Sequence, residues 1–169
     1  MPISPTDQEI YMHQALLQAE IALQAGDLPI GAVIVYDGEI VARGRNHYYT
    51  GNVLRHAETE AILQAPKRFD RHRDNAAIFT TAEPCYMCYG AILMWGITHV
   101  YYAAPDVHFG ASQIHGKGHY EQGRIHTWQG GVLEQEAFRL MLRYSERLCR
   151  QHFGARFDEI LGTIKGAIS

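Results

Sequence analysis

The run NAAIFTTAEPCYMCYGAILMWG (75–96) limits what this chain can fold into more than any other stretch. After Asn75, the rest of 75–82 is apolar or β-branched with no polar alternation, which predicts a buried strand. Cys85 opens a second run that stays apolar as far as Gly96, and this predicts a helix with Gly96 as its stop. THVYYAA (98–104) then reads as another strand. A buried strand, a helix and a further strand in close succession call for a layered α/β domain with a mixed sheet. They also set Cys85 and Cys88 at the start of a helix, at i and i+3 on one face.

The flanking sequence supplies the other layers. Ser4-Pro5-Thr6-Asp7 carries the marks of a helix start, with a cap at Ser4, Pro5 in the first turn and an acid at the capping-box position. Ile10, Ala15, Leu16, Ala19 and Leu23 follow at helical spacing until Gly26. IGAVIVYDGEIVARG predicts a hairpin, because two β-branched runs flank Asp37-Gly38. HAETEAILQA (56–65) predicts a helix that ends before Pro66. From Pro105 to Gly131 the chain is rich in Gly and His with little periodicity, so a loop is expected. LEQEAFRLMLRYSERLCRQHF (133–153) predicts one amphipathic helix with Ala137, Leu140, Met141, Tyr144 and Leu148 on one face. A weak last helix is expected over 155–165. With 169 residues and no repeat, linker or low-complexity segment, a single domain over 1–169 is expected, its core at about 5–153.

The net charge of -3 gives no global pull toward nucleic acid and leaves only a local basic patch as a route to such a partner. The opening MPISPTDQEI has neither a basic leader nor an apolar core, so no signal peptide is expected. No apolar run reaches the roughly 18 residues that span a bilayer, and no membrane partner is expected. Three cysteines are an odd count and too few for a disulfide framework. A reducing, cytoplasmic setting is expected, where a cysteine pair more often binds metal or does redox work.

Taken alone, Cys85-x-x-Cys88 admits three readings: a redox pair, half of a structural zinc site, or part of a catalytic metal site. A structural site needs four protein ligands, usually as two pairs, and Cys149 lies inside the late helix with no partner at metal spacing. A redox pair also sits at a helix start, so position alone leaves that reading open. RHAE (55–58) offers what the cysteines lack, since His56 and Glu58 open a helix just as the cysteines do. His-x-Glu upstream of Pro-Cys-x-x-Cys is the pattern of the zinc deaminases, with His56, Cys85 and Cys88 as ligands and Glu58 as proton shuttle. Thiolates are favoured at a helix N-terminus. Zinc with three protein ligands and an open position is catalytic in form, and lowers the pKa of a bound water toward roughly 7.

On these motifs the chain resembles the cytidine/deoxycytidylate deaminase superfamily, well over about residues 5–105 and loosely beyond. The resemblance implies a three-layer α-β-α fold with a mixed five-stranded sheet flanked by helices, Zn2+ as cofactor, and a homodimer. His56 in place of a cysteine separates the chain from the true cytidine deaminases. The short Cys85–Cys88 spacing separates it from the riboflavin-pathway deaminases. PIGAVIVYDGEIVARGRN (29–46) and EPCYMCYGAI (83–92) resemble two branches most, the bacterial tRNA adenosine deaminases and the guanine deaminases. In both, the residue matching Asn46 contacts the substrate, the one matching Ile30 lines the base pocket, and the backbone at Ala57 helps read the base.

Three features favour a small substrate, a free purine base or nucleoside, guanine-like first. They are the acidic charge, YYAAPD (101–106), and Asn52-Val53-Leu54-Arg55 where both branches carry Asp-Pro-Thr-Ala. YYAAPD is closer to the Tyr-Ala-Ala of the guanine enzymes than to the Gly-Ala-Arg/Lys-Asp of the tRNA enzymes. Asp106 and Glu121 are the candidate acids for the purine edge. The alternatives are adenosine-to-inosine deamination in a tRNA anticodon and a zinc-holding scaffold without turnover, against which an intact Glu58 counts. Arg139, Arg143, Arg147 and Arg150 fall at i, i+4, i+8 and i+11. That stripe is either a solvated face paired with Glu136 and Glu146 or a phosphate contact. The histidines at 99, 108, 115, 119 and 126 raise a second metal or a substrate loop, which their spacing does not support.

Overall fold

The computed structural model describes residues 3–66 and 75–166. Helix α1 (Pro5–Gln24) starts as its sequence predicts, with the Asp7 N–H donating to Ser4 Oγ at 3.2 Å. Met12, Ala15, Leu16, Ala19 and Ala22 carry its buried side. Ile10, expected on that face, is exposed, because it lies about 200° around the helix from Met12. Strands β1 (Gly31–Tyr36) and β2 (Glu39–Arg45) form the hairpin. Asp37 and Gly38 turn it at φ 49° and 83°, the left-handed pair that a two-residue type I′ turn requires. Then come α2 (Ala57–Gln64), β3 (Ala76–Ala82), α3 (Tyr86–Trp95) and β4 (His99–Ala104). Gly96 closes α3 at φ 89°.

The expected mixed five-stranded sheet forms, in the order β2-β1-β3-β4-β5. Strand β1 is antiparallel to β2 and β3, while β3, β4 and β5 run parallel. Strand β5 (Thr127–Gln129) lies inside the stretch expected to be loop; three residues are too few to show an alternation. Side chains alternate across the sheet into two cores. Val33, Val35, Phe79 and Tyr101 face α1 and the late helices, whereas Ala32, Ile34, Ile78 and Val100 face α2 and α3. The architecture is therefore α-β-α. Gly31 and Gly44 allow the two helix layers to approach: a Cβ would fall 2.2 Å from Ala15 O and 2.1 Å from Ala57 O respectively.

The late amphipathic run is two helices rather than one, α4 (Glu134–Tyr144) and α5 (Glu146–Phe153). Ser145 between them is extended, at φ -165° and ψ 121°, and its hydroxyl accepts the Leu148 N–H at 3.3 Å. Serine is a strong N-cap, and the break there lets Phe138 and Phe153 meet edge to face at 5.0 Å. Helix α6 (Phe157–Gly166) follows a 3-10 turn and sets Phe157 against Phe138 at 5.2 Å. Cys149 is fully buried, and burial pushes its thiol up to about 12. Among the described residues, no helix is long and apolar enough to cross a membrane.

Candidate active site

The start of β1 and the ends of β2, β3 and β4 meet at one end of the sheet, because Gly31 pairs with Arg45, Ala32 with Thr80 and Ala82 with Ala104. The crevice outside the carboxyl ends of parallel strands is where α/β sheets bind ligands. The first turns of α2 and α3 lie there. His56 is the N-cap of α2 and Cys85 the N-cap of α3. The His56 N–H donates to Thr59 Oγ1 at 3.0 Å, which fixes the turn.

His56 Nδ1 lies 3.5 Å from Cys85 Sγ and 3.5 Å from Cys88 Sγ. With Zn–N of about 2.05 Å and Zn–S of about 2.3 Å, tetrahedral angles separate N and S by about 3.6 Å. Donor set and spacing therefore fit zinc with three protein ligands. Among the described residues this is the one His, Cys or acid group that could hold a metal. Hydrogen bonding from Cys88 pulls the Cys85 thiol down to about 4, with His56 adding to it. Cys88 is pushed up by its bond to Cys85 and by burial. Cys85 is thus the more readily ionised of the two, and ligation takes both sulfurs as thiolates.

Glu58 stands beside this group and is 3% exposed. Thr80 Oγ1 donates to Glu58 Oε1 at 3.2 Å. Burial pushes the carboxyl up, and the nearby Cys85 charge adds to that. Both His56 and Glu58 open on a cavity of about 460 Å3, in the range of small-ligand sites. Ile30 and Asn46, the residues the resemblance assigns to the base pocket and the substrate, line it. The Ala57 side chain does not; it packs in the core beside Ala42 and Ala61. What Ala57 offers is a backbone N–H in the first turn of α2, where no intrahelical acceptor exists.

Two buried carboxylates that no motif flags shape the walls. Asp27 Oδ1 accepts the Leu28 N–H and Asn46 Nδ2, each at 2.8 Å. Its Oδ2 accepts the Tyr49 N–H at 3.1 Å and the Thr50 N–H and hydroxyl, each at 2.9 Å. An ionised carboxylate only accepts, so Asn46 must turn its NH2 toward Asp27, and its Oδ1 is the end left for the cavity. Burial pushes the Asp27 carboxyl up, but these bonds outweigh it and hold it below the usual range. Glu83 accepts the Asp106 N–H at 3.0 Å and the Ser112 N–H at 2.7 Å. Cys85 bridges Gly110, where an added Cβ would fall 2.4 Å from Glu83 Cδ. Glu83 therefore ties the loop after β4 to the cysteine turn. Asp27 sits in GDLP, which reads only as a turn, and the motif that begins at Glu83 marks its cysteines without showing which backbone groups the acid holds.

The last wall comes from α5, through Leu148, Gln151 and His152, none of them expected there. Asp106 also lines the cavity, but its Oδ1 accepts the His108 and Phe109 N–H groups at 3.0 Å each, and its Oδ2 lies 3.7 Å from His152 Nδ1. Glu121 is not in the cavity; it bonds the Tyr89 hydroxyl, beside His115. The histidines form no second cluster among the described residues. His99 meets Thr127 Oγ1 at 2.8 Å, and His115 stacks on Trp128 at 4.9 Å. The break at Ser145 splits the arginine stripe. Arg143 holds Glu20 at 2.6 and 2.9 Å, and Arg150 holds Glu146 at 2.9 Å and Asp158 at 3.1 Å. Arg139 and Arg147 have no ion-pair partner among the described residues.

Residues 5–104 match the family model of the cytidine and deoxycytidylate deaminase zinc-binding region. A tRNA-specific adenosine deaminase of Streptococcus pyogenes serotype M18 is 42% identical over 118 residues, covering 66% of this chain and 72% of the relative. A chain solved in studies of A-to-I editing by tRNA:A34 deaminases at the wobble position of transfer RNA superposes with a TM-score of 0.62. It is 30% identical and covers 77% of this chain and 97% of its own. Guanine deaminase from Nitrosomonas europaea superposes with a TM-score of 0.65 at 26% identity, covering 80% and 83%. The expectation of a guanine-like free base or nucleoside is overturned by these figures, since the relative at 42% identity carries the tRNA name. The geometry gives the physical reason. Of the two acids meant for the purine edge, Glu121 lies outside the cavity and Asp106 is engaged in capping its own loop. The chain belongs to the cytidine and deoxycytidylate deaminase family, with zinc as its metal.

Proposed function

We propose that this chain deaminates adenosine to inosine in the anticodon of a transfer RNA. The observation that carries this is its 42% identity to a tRNA-specific adenosine deaminase over 72% of that protein's length. In this mechanism His56 Nδ1, Cys85 Sγ and Cys88 Sγ hold zinc, which when bound makes a water nucleophilic at neutral pH. Glu58 would take one proton of the attacking water and deliver it to the ring nitrogen next to the reacting carbon, then carry the second proton from the new C–OH group to the departing amine. The exocyclic C–N bond breaks as the C=O bond forms, so adenosine and water give inosine and ammonia. Asn46 presents its Oδ1 to the nucleoside, the Ala57 N–H donates to the base, and Ile30 packs against it.

Because α5 supplies one wall of the cavity, the region beyond residue 104 works as part of the same deaminase domain. Leu63 on α2 is 80% exposed and Met94 on α3 is 72% exposed, both in the same outer layer, which supports this face as the homodimer contact of the proposed enzyme. The setting is cytoplasmic, where tRNA and reduced thiols coexist. A zinc scaffold without turnover has no use for a carboxyl buried in the cavity. The test is Glu58→Ala in the zinc-loaded protein, assayed on an anticodon stem-loop with adenosine at the first anticodon position. Inosine formation should fall by about 10²- to 10⁴-fold with zinc content unchanged. Equal activity in the variant would refute the role of Glu58, and ammonia released only from free bases or nucleosides would refute the substrate.

A further inference from the structure

The mouth of the cavity carries two large aromatic side chains that a small-molecule site does not require. Tyr49 is 64% exposed and Phe109 is 59% exposed, and both line the opening. Each stands on a fixed backbone. The Tyr49 N–H donates to buried Asp27 at 3.1 Å, and the Phe109 N–H donates to buried Asp106 at 3.0 Å. Tyr48 braces the Tyr49 ring edge-on at 4.9 Å. The two loops leave the sheet from β2 and β4, which β1 and β3 separate. Two exposed rings thus stand on different sides of one opening, each on a backbone that a buried carboxylate pins. Rigid exposed rings flanking a groove are what unpaired bases stack on, with little regard to base identity.

A charge sits beside them. Arg147 is exposed, lies one helical turn before Gln151 of the cavity wall, and has no ion-pair partner among the described residues. Its neighbours on the stripe, Arg143 and Arg150, are neutralised by Glu20, Glu146 and Asp158. The guanidinium left free on α5 is therefore the one next to the opening, where a phosphate of a bound strand would pass.

We propose that Tyr49 and Phe109 stack on the two nucleobases that flank the target base in a single-stranded RNA, and that Arg147 takes a phosphate of the same strand. This rests on the deaminase assignment above for where the target base sits. It adds what the chain grips, namely unpaired neighbours on both sides of that base. A lone base or nucleoside offers the rim nothing.

The test measures binding, so that it does not depend on turnover. Zinc-loaded Glu58→Ala protein is mixed with a short single-stranded RNA that has a central adenosine and the fluorescent base 2-aminopurine at one flank or the other. Stacking on a ring quenches the label. Tyr49→Ala should abolish quenching at one flank and Phe109→Ala at the other, each with an affinity loss of about ten-fold or more. Tyr49→Phe and Phe109→Tyr should keep both. Arg147→Ala should flatten the dependence of log Kd on log salt by about 0.7. All three side chains are exposed, and matching thermal melts check that the variants fold. Unchanged quenching and affinity in both alanine variants overturns the stacking rim, and an unchanged salt slope overturns the phosphate contact. If the wild type makes no inosine while the alanine variants lose quenching, the tRNA deaminase assignment falls and the rim stands.

Discussion

Asp27→Asn replaces one atom and reverses the hydrogen-bond sense of a cavity wall. The carboxylate accepts from Leu28 N–H, Asn46 Nδ2, Tyr49 N–H and both donors of Thr50. An asparagine side chain keeps its oxygen toward Tyr49 and Thr50, which leaves its NH2 facing the Leu28 N–H and the Asn46 NH2. Asn46 relieves its half of the clash by rotating its amide, so that NH2 rather than oxygen points into the cavity. The Leu28 N–H is stranded. Hydrogen bonds to a charged acceptor are worth about 1.5–3 kcal/mol against about 0.5–1.5 for neutral ones, so the three retained bonds lose about 1 kcal/mol each. The stranded N–H costs about 1–3 kcal/mol more. Relaxation of the 47–55 loop recovers part of this, for a net loss of roughly 3 kcal/mol. At about 2–4 °C per kcal/mol for a chain of this size, Tm falls by about 6–12 °C. The flipped Asn46 meets the substrate with the wrong group, a mismatch of about 1–3 kcal/mol, or about 5- to 150-fold in kcat/KM. Zinc content should not change.

The same substitution has a pH signature. The folded carboxyl of Asp27 sits below its ordinary value of about 3.9. The stability it contributes is therefore complete above that value and is lost as pH falls through the lower folded value. The variant lacks this acid limb, so the gap in Tm between wild type and variant closes on acidification. Thermal melts across pH, zinc analysis and steady-state inosine formation measure all three effects. A variant that melts within about 2 °C of wild type at neutral pH and keeps its kcat/KM would refute the reasoning.

Gly44→Ala places a Cβ 2.1 Å from Ala57 O and 2.4 Å from Ala61 N. Backbone cannot yield there, so α2 shifts, stability falls by about 1–3 kcal/mol in denaturant titrations, and activity falls because His56 and Glu58 move with the helix. Gly110→Ala drives a Cβ to 2.3 Å from Asp106 O and 2.4 Å from Glu83 Cδ. By loosening the Cys85 turn it should weaken zinc by about 10- to 100-fold in chelator competition. Leu63→Glu combined with Met94→Glu should convert a dimer to monomer in analytical ultracentrifugation with zinc retained; a persisting dimer rules out that face.

Much of this molecule is written locally. Asp37-Gly38 announces its hairpin because only a few residue pairs adopt two left-handed conformations in a row. His56, Glu58, Cys85 and Cys88 are legible because the chemistry needs those residue types at helix starts, and helix starts have their own signals. What stayed hidden depends on partners far away in the chain. Asp27 matters through Asn46, Tyr49 and Thr50, and Glu83 through Asp106 and Ser112. GDLP around Asp27 carries no pattern beyond a turn, and EPCYMC around Glu83 marks the cysteines without showing what the acid holds. The amphipathic period runs unbroken through Ser145, yet the fold uses its hydroxyl as a cap and turns Leu148, Gln151 and His152 onto the site. That break also puts Arg139 and Arg143 on one helix and Arg147 and Arg150 on another, which no single-helix projection reveals.

The central claim is the substrate, and one measurement addresses it directly. Zinc-loaded protein is incubated with a full tRNA carrying adenosine at the first anticodon position, and in parallel with guanine, and both inosine and ammonia are quantified. A tRNA adenosine deaminase yields inosine at that position with one ammonia released per inosine formed, and none from guanine. Ammonia from guanine with an unmodified tRNA would contradict the claim.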